Sequence, residues 1–386
     1  MATNKTDKVL NVPTLRFPGF TGEWQKMNIG SIASKVGSGS TPRGGSAIYE
    51  EKGRPFVRSQ NIGNGFLLLD DIAHISEEIH NQQKNTEIIE QDVLLNITGA
   101  SIGRCAIADT RIAGGNVNQH VCIIRSTSLN PIFLSNYILS HKGQKQIESF
   151  QAGGNREGLN FEQVRSIRLN VPQRKEQDKI SSLLTLLDER IALQSKLIDR
   201  LKSLMGGIRK RLFQKSTSHQ LLGNIVDIRK GKQINGSELL EEGKYPVMNG
   251  GISPSGFLNE YNTPAGTISI SEGGNSCGYV QFNDTPIWSG GHCYTLHLIC
   301  GDIDYRYLYH FLKHSESEIM KLRIGSGLPN IQKKDLSKFP ITSYPISNQM
   351  KISKTLDVME ARILNEEFML QSYAKLKAYL LSAMFI

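Results

Sequence analysis

The chain has 386 residues, of which 39% are hydrophobic and 21% charged, and this length and composition predict a globular protein with two or more domains. Its formal net charge of +9 favours a polyanionic partner such as nucleic acid. The sequence has no run of about 18 apolar residues that would predict a transmembrane helix. Its first residues lack the apolar core of a signal peptide, so we expect a cytoplasmic protein.

The five cysteines give no sign of a disulfide framework or a zinc site. Their number is odd and none lies in a C-x-x-C pair, which argues against both. We expect them to be small buried hydrophobic residues, and we predict no metal site. The cysteines are Cys105, Cys122, Cys277, Cys293 and Cys300.

Strand patterns alternate with polar loops through the first 171 residues. Residues 92–97 and 121–124 are predicted to be strands, and residues 131–149 a helix. The loops are rich in glycine, which lets a backbone approach a ligand closely. Asn, Gln and Arg offer the paired hydrogen bonds that distinguish base edges in the major groove. The candidates for DNA contact here are Ser38, Ser40, Thr41, Arg43, Arg58, Ser59, Gln60, Asn61, Arg104, Asn118, Gln119, His120 and Arg156.

A long helix is predicted after this part. Apolar residues recur at alternating steps of four and three, which is the heptad pattern of a coiled-coil seam. One member of the seam, Gln194, is polar. The seam consists of Ile180, Leu184, Leu187, Ile191, Gln194, Ile198, Leu201, Met205, Ile208 and Leu212.

A second variable part follows, with strands predicted near residues 266–270 and a helix over residues 304–321. Its loops correspond in place to those of the first part but differ in residues, as expected for two units that read different sequences. Such loops are usually only turns, and their recurrence at matching points strengthens the functional interpretation. The candidates for DNA contact here are Lys230, Lys232, Gln233, Met248, Asn249, Asn275, His292 and Arg323.

A second long helix ends the sequence, with a weaker seam that includes Glu366 and Lys377. Neither helix is expected to be stable alone, so the simplest burial is of each against the other, antiparallel. A helix of roughly 38 residues spans roughly 57 Å, or about 17 base pairs, enough to hold two reading domains over separate grooves. The alternative is that the helix pair only joins two domains. The second seam consists of Ile352, Leu356, Met359, Ile363, Glu366, Leu370, Tyr373, Lys377, Leu380 and Met384.

The two halves of the chain are an internal repeat. From Gln177 onward they align without a gap at a separation of 172 positions, with Ile180 opposite Ile352 and Phe213 opposite Phe385. The match upstream is looser but keeps its order. Duplication of one unit, a variable part followed by a long helix, is the simplest explanation.

Motifs for nucleotide or methyl-transfer chemistry are missing from the sequence. It contains no G-x-x-x-x-G-K-[ST] phosphate loop, no methyltransferase Pro-Pro-Tyr/Phe pocket and no nuclease-like carboxylate pattern. His120 near Cys122 and His292 beside Cys293 are conceivable nucleophilic pairs. A lone histidine on a strand is usually structural, however, and no orienting acid is identifiable. We therefore predict no catalytic residue in this chain.

The sequence contains the motifs Leu15-Arg16-Phe17-Pro18-Gly19-Phe20, Glu23-Trp24, the loop at residues 37–42, Val171-Pro172, Glu176-Gln177, and Ile180, Leu184, Leu187-Asp188 and Ile191. Together these motifs resemble the specificity subunits of type I restriction-modification enzymes. The resemblance extends over essentially the whole chain, including its half-repeat. One departure lies at the start of the second long helix, where Ser347-Asn348-Gln349 replaces the Glu-Gln pair of the first.

The resemblance implies an α+β fold with two mixed α/β target-recognition domains in a pseudo-twofold repeat, joined by two long helices that form an antiparallel coiled coil. The expected division is an arm at residues 1–13, recognition domains at 14–171 and 216–345, and spacer helices at 172–215 and 346–386.

The resemblance also implies a function. Such a chain would be non-catalytic and would read a two-part, asymmetric site in double-stranded DNA with a non-specific spacer. Its expected partners are two methyltransferase subunits, which use S-adenosylmethionine, and restriction subunits, which use ATP and magnesium; no cofactor is expected in the chain itself. The competing interpretation is a scaffold whose two β-rich domains bind proteins or glycans.

Overall fold

The computed structural model describes residues 10–151, 158–213, 219–325 and 327–386. The chain forms two compact units, one comprising Met1–Leu193 with Met369–Ile386 and the other comprising Gln194–Phe368. Each unit therefore includes part of both long helices, Arg174–Phe213 and Ile346–Ala383. No described helix is both long and apolar enough to span a membrane.

In the part of the first unit that the structure describes, the strands form three small sheets. The central one has four antiparallel strands in the order Lys35–Ser38, Val121–Arg125, Val93–Asn96 and Cys105–Ile107. A three-stranded sheet has the order Ala73–Ile75, Arg54–Val57 and Asn116–Val117, the last pair parallel. The third sheet pairs Gln25–Asn28 with Arg168–Val171.

Short helices cover these sheets in the first unit. The α-helices are Ile29–Ile32, Glu77–Gln82, Pro131–Leu139, His141–Gln151 and Phe161–Ser166. The 3-10 helices are Gly45–Ile48, Ser59–Asn61, Lys84–Thr86 and Gly99–Ser101. A core that includes Trp24, Phe133 and Leu95 packs against Ile180 and Leu184 of the first long helix, so the helix is part of the hydrophobic core.

The second unit repeats this topology. Its four-stranded sheet has the order Val226–Lys230, Cys293–Leu298, Thr267–Ser271 and Val280–Asn283. The smaller sheets are Phe257–Leu258, Tyr245–Met248 and Trp288–Ser289, and His219–Leu221 with Pro340–Thr342. The short helices are Leu222–Ile225, Gly236–Glu238, Tyr305–His314, Glu316–Met320 and Lys333–Leu336. The predicted duplication is thus confirmed in strand order and pairing.

The helix predicted over residues 131–149 is two helices. Ser140 ends the first, and its hydroxyl donates to the carbonyl of Tyr137 at 2.6 Å. A Cβ on Gly143 would lie 2.3 Å from the same carbonyl oxygen. The tight turn between the helices therefore requires glycine, a constraint that apolar periodicity alone does not reveal. The helix predicted over residues 304–321 is divided in the same way at Ser315.

Within the first unit, the start of the first long helix packs antiparallel to the end of the second. Ile180, Leu184 and Leu187 lie in one apolar cluster with Leu380 and Met384. Polar contacts continue this packing. Asp188 forms an ion pair with Lys377 at 2.5 Å, and Arg190 donates to the hydroxyl of Tyr373 at 3.2 Å.

Within the second unit, the remaining halves of the two helices also pack antiparallel. Phe213 and Leu356 share an apolar cluster. Lys202 forms an ion pair with Glu367 at 2.7 Å. The polar seam members contact each other, because the buried Gln194 amide donates to the backbone carbonyl of Glu366 at 3.1 Å and also to its carboxylate. The apolar residues predicted to form the contact between the two helices are all buried or half-buried: Ile180, Leu184, Leu187, Ile191, Ile198, Leu201, Ile352, Leu356, Met359, Ile363 and Leu370.

An ion pair accounts for the difference between the starts of the two long helices. Arg16, which precedes the first strand, makes a bidentate contact with the buried Glu176 carboxylate at 2.7 and 2.8 Å. Asn348 has the corresponding place in the second helix. Asn348 is exposed, so no paired carboxylate is needed at this place in the second helix.

The next residue along each long helix is a glutamine, and it makes the same kind of hydrogen bond in both copies of the repeat. The Gln177 side chain accepts from the backbone of Asn130 at 2.9 Å, and the Gln349 side chain accepts from the backbone of Asp304 at 2.8 Å. Each bond ties a long helix to the start of the short helix that packs on it.

Replacing Gln194 with Leu should destabilise the protein, because the buried Glu366 carboxylate loses its donor from the facing helix. We expect the free energy of unfolding to fall by about 1–3 kcal/mol, measured by urea denaturation followed by circular dichroism. The exposed Gln371 on the second long helix provides the control substitution Gln371→Leu, which should change stability little. Equal stabilities of the two variants would contradict a structural role for this contact.

Candidate nucleic-acid interface

In the first unit, several strand ends meet at one edge of the four-stranded sheet. The pairing is antiparallel, so Ser38, Asn96 and Val121 lie at the same edge. The three-stranded sheet joins this edge through a hydrogen bond from the Asn118 amide to the Val57 carbonyl at 3.0 Å. We call residues 38–43, 58–61, 97–104 and 118–120 the first loop edge.

Side chains of the first loop edge bind one another. The Nδ1 atom of His120 contacts the hydroxyl of Thr98, and its Nε2 lies 3.1 Å from the Gln119 amide nitrogen. Thr41 donates to the same glutamine. The result is a polar row of hydroxyl, amide and imidazole groups that presents both donors and acceptors.

A second polar group is centred on Asp71. Its backbone carbonyl accepts from the Arg58 guanidinium at 2.8 Å, and its carboxylate accepts from Gln60 and from Asn61, the latter at 3.1 Å. Arg58 also lies over the ring of Tyr49, 5.6 Å from its centroid. Arg58 is therefore held in place within the protein.

One glycine of the first loop edge has a packing role. A Cβ on Gly39 would lie 1.7 Å from the carbonyl oxygen of Val117. The glycine thus permits two backbone segments to come together. Sequence analysis attributed such glycines to approach by a ligand, and at Gly39 the structure gives this packing constraint instead.

The structure separates the candidates of the first unit by exposure. Asn61 and Asn118 are buried, at 0% and 6% exposure, and are bonded within the protein. Their burial removes them from the surface that a DNA base could contact. The exposed candidates are Ser40, Thr41, Arg43, Gln60, Arg104 and Gln119. The half-buried ones are Ser38, Arg58, Ser59 and His120. Arg156 lies outside the described residues.

The second unit has a corresponding edge. Lys230 ends one strand, Ser271 ends the central strand, and Cys293 begins the strand between them. The amide of Gly290 donates to the carbonyl of Met248 at 2.9 Å, which joins the smaller sheet at the same point. We call residues 230–233, 248–250, 272–275 and 289–292 the second loop edge.

The second loop edge contains a buried carboxylate, Glu272, whose side chain is 10% exposed. Its Oε1 accepts from the Lys230 ammonium at 2.6 Å, and its Oε2 lies 3.4 Å from Nδ1 of His292. The hydroxyl of Tyr294 lies 3.5 Å from Oε1. Burial and the neighbouring carboxylate raise the pKa of Tyr294 to about 12, so this tyrosine is a neutral donor at physiological pH.

Most candidates of the second unit lie at the surface. Met248 is buried with Ile287 and Cys293, so its side chain belongs to a core cluster and does not face a ligand. The Asn249 side chain is half-buried and accepts from the His292 amide at 3.1 Å. The exposed candidates are Lys230, Lys232, Gln233, Asn275, His292 and Arg323.

Sequence analysis missed three residues that organise these edges: Thr98, Asp71 and Glu272. Each lies in a polar loop, where a short polar or acidic side chain is usually solvated. One signal was available for Glu272, since it follows directly on a strand of apolar and small residues and precedes Gly273-Gly274.

Neither conceivable cysteine-histidine pair has the properties of a nucleophilic centre. Burial raises the pKa of the Cys122 thiol to about 12, and burial also raises the pKa of Cys293. The thiolate is the nucleophilic form of cysteine, and a thiol with so high a pKa rarely adopts it. Four of the cysteines are buried and Cys300 is half-buried, as expected for small hydrophobic residues.

One group of possible metal ligands lies inside the second unit, formed by His310, Asp357 and Glu360. Arg306 contacts Asp357 at 2.5 Å and Glu360 at 3.6 Å, and His310 contacts Asp357 at 2.7 Å. Burial alone would raise the pKa of Asp357, but the bonds from Arg306 and His310 lower it. The carboxylates thus belong to a structural network in which Arg306 supplies positive charge and His310 a hydrogen bond.

Comparison with known proteins shows the family. The model of the type I restriction modification DNA specificity domain matches residues 21–203 and 220–371. A putative type I specificity subunit of Mycoplasma pneumoniae is 39% identical over 149 residues, and one of Mycoplasma genitalium is 33% identical over 159 residues. These matches cover 38% and 40% of this chain but only 40% and 41% of the relatives.

Similarity over most of the chain is weaker. The putative MjaX specificity subunit of Methanocaldococcus jannaschii is 20% identical over 378 residues, covering 88% of this chain and 87% of that protein. The crystal structure of a type I S subunit from M. genitalium superposes with a TM-score of 0.69 at 20% identity, covering 97% of this chain and 99% of that one.

A chain from a structure of the type I R-M system gives a TM-score of 0.57 at 17% identity, with 95% of this chain and 97% of that one covered. These structural likenesses support the fold, and the family model matches well over half of the sequence. The chain therefore belongs to the type I restriction-modification DNA specificity family.

Proposed function

We propose that this chain is the non-catalytic subunit that reads a bipartite, asymmetric DNA site through its two loop edges. One observation supports the proposal above the others. The two edges share backbone hydrogen bonds, such as Ile97 to His120 and Glu272 to His292, but different side chains surround the two histidines. Thr98 and Gln119 contact His120, whereas Glu272, itself bound to Lys230, contacts His292. To read two different half-sites, the two units need similar backbone structures that carry different hydrogen-bond donors and acceptors.

Different side chains would provide the affinity for DNA and the recognition of its base sequence. Exposed cations such as Arg104 and Lys232 would neutralise phosphates and give salt-dependent affinity. The fixed polar groups of the edges would contact bases, because phosphate contacts position a protein while base contacts specify the sequence. Met248, Asn61 and Asn118 support the loops in this scheme.

The chemistry would belong to partner subunits. In this proposal methyltransferase subunits take the target adenine out of the duplex and methylate it with S-adenosylmethionine. Restriction subunits, where present, cleave DNA with ATP and magnesium. Two methyltransferase subunits would dock, one for each copy of the repeat.

Exchanging residues 217–345 for the corresponding part of another such subunit should change one half-site and leave the other unchanged. The expected reason is that each loop edge is built within its own unit. The measurement is selection of bound duplexes from a random library by the chain in complex with its methyltransferase partner. A change in both half-sites would contradict the assignment of one half-site to each unit.

Replacing Arg43 with Ala should weaken DNA binding, by about 1–3 kcal/mol if the arginine contacts a base. Arg111 is the matched control. It is also exposed, but it is paired with Asp109 at 2.7 Å and follows the end of strand Cys105–Ile107 that lies away from the loop edge. Arg111→Ala should leave affinity nearly unchanged, measured by titration of a labelled duplex at fixed salt. Equal effects of the two substitutions would contradict this placement of the interface.

The competing scaffold function predicts a different result in both experiments. A protein- or glycan-binding chain would show no salt-sensitive DNA binding, with or without partners. It would also enrich no sequence from the library.

A further inference from the structure

The buried carboxylate of the second loop edge is unnecessary for the fold. Glu272 donates its amide to the His292 carbonyl at 2.8 Å, and its own carbonyl accepts from Ile331 at 2.9 Å. Ile97 in the first unit makes the same two bonds, to His120 at 3.0 Å and from Leu159 at 2.7 Å. An apolar side chain therefore satisfies this position in one copy of the repeat.

A buried carboxylate is costly compared with an isoleucine. Removing a charge from water is unfavourable unless it is paired and hydrogen-bonded. At 10% exposure Glu272 has such partners in Lys230, His292 and Tyr294. Because the fold does not require the charge, its role lies with the groups that it binds.

Lys230 makes the shorter contact with Glu272 of the two exposed groups, since His292 lies 3.4 Å from the carboxylate. Its side chain is 53% exposed, and the ammonium is fixed by the 2.6 Å bond to Glu272. An ammonium has three donors, so this bond leaves two for a ligand. By strand register Ser38 has the corresponding place in the first unit, since Ser38 faces Cys122 as Lys230 faces Tyr294. The first loop edge therefore presents no cation at this position.

We propose that Glu272 positions Lys230 as a guanine-reading group of the second loop edge. This inference rests on the proposed function and names the base that one position of the second half-site would require. The ligand would be the O6 and N7 acceptors of guanine in the major groove, the acceptor pair that lysine and arginine recognise.

Charge favours a base over a phosphate as the ligand of Lys230. A lysine that serves only to neutralise phosphate gains from a full positive charge and a mobile side chain. Glu272 removes both advantages, because the pair has no net charge and the ammonium is held at one point. A fixed donor with little net charge suits an uncharged acceptor edge. Lys232, two residues away and exposed, keeps the properties expected of a phosphate contact.

The test compares Lys230→Ala, Glu272→Gln and Glu272→Ile in the whole chain with its methyltransferase partner. The last variant copies the residue of the first unit. The measurement is binding to a set of duplexes in which each position of the second half-site carries each of the four bases. Lys232→Ala is the matched control, and Lys230→Arg tests rescue, because arginine also binds guanine at O6 and N7.

We expect Lys230→Ala to lower the preference for guanine at one position by about ten- to a hundredfold. Both Glu272 variants should weaken the same preference, and Lys230→Arg should retain it. Lys232→Ala should weaken binding to all duplexes alike and reduce the salt slope by about 1. An unchanged base preference at the first half-site would show that each variant is folded and assembled with its partner.

Three results would overturn the proposal. The first is a uniform loss in Lys230→Ala with a smaller salt slope, which would make Lys230 a phosphate contact. The second is altered preference at a cytosine in Glu272→Gln with none in Lys230→Ala, which would make the carboxylate itself the reader. The third is no change of preference in any variant. Absence of any preferred sequence with the unmodified chain would instead refute the proposed function.

Discussion

Each long helix carries an apolar seam that it cannot bury alone, and burial of the two seams against each other is the constraint on which both units depend. Most helical stability in proteins comes from such packing rather than from intrinsic propensity. Ile180 and Leu184 share a cluster with Leu380 and Met384 in the first unit, and Phe213 shares one with Leu356 in the second. Because each unit contains part of both helices, neither unit is complete without the whole of the repeat.

Polar residues in and beside the seams connect the two helices. Gln194 binds Glu366, and Asp188 binds Lys377. Buried polar contacts add little stability compared with apolar side chains, but a polar residue at a seam position can fix the register of paired helices. Gln194 and Glu366 are buried and lie on facing helices, so a shift in register would leave the Gln194 amide without its hydrogen bonds.

Polar contacts within the protein also hold side chains in place at the loop edges, before any ligand binds. Arg58 and Gln60 bind Asp71, and His292 and Lys230 bind Glu272. A side chain already held in place loses less conformational freedom on binding. Such ordering favours discrimination between bases, because a base with the wrong edge would leave the fixed donors without hydrogen-bond partners.

The sequence was sufficient to predict the repeat, the two long helices and their antiparallel packing. A heptad pattern and a separation of 172 positions are periodic features that do not depend on the details of tertiary structure. The strands at residues 92–97, 121–124 and 266–270 were also predicted, within one or two residues of their observed bounds.

Burial within the loops could not be predicted. Asn61 and Asn118 are as polar as the exposed Gln119, and only the contact of two sheets encloses them. Glu272 was missed for the converse reason. A glutamate before two glycines is typical of a solvated turn, and its burial depends on Lys230 and Tyr294, which lie on other strands. The break of the helix at Ser140 likewise depends on a local clash that only glycine at 143 avoids.

The most direct measurement of the central claim is a map of methylated adenines in bacteria that lack other methylation and express the chain with its methyltransferase partner. If the two units read DNA, methylation will occur at one split, asymmetric motif, and the map will give both half-sites. A soluble complex with an active methyltransferase but no such motif would contradict sequence recognition and favour a scaffold.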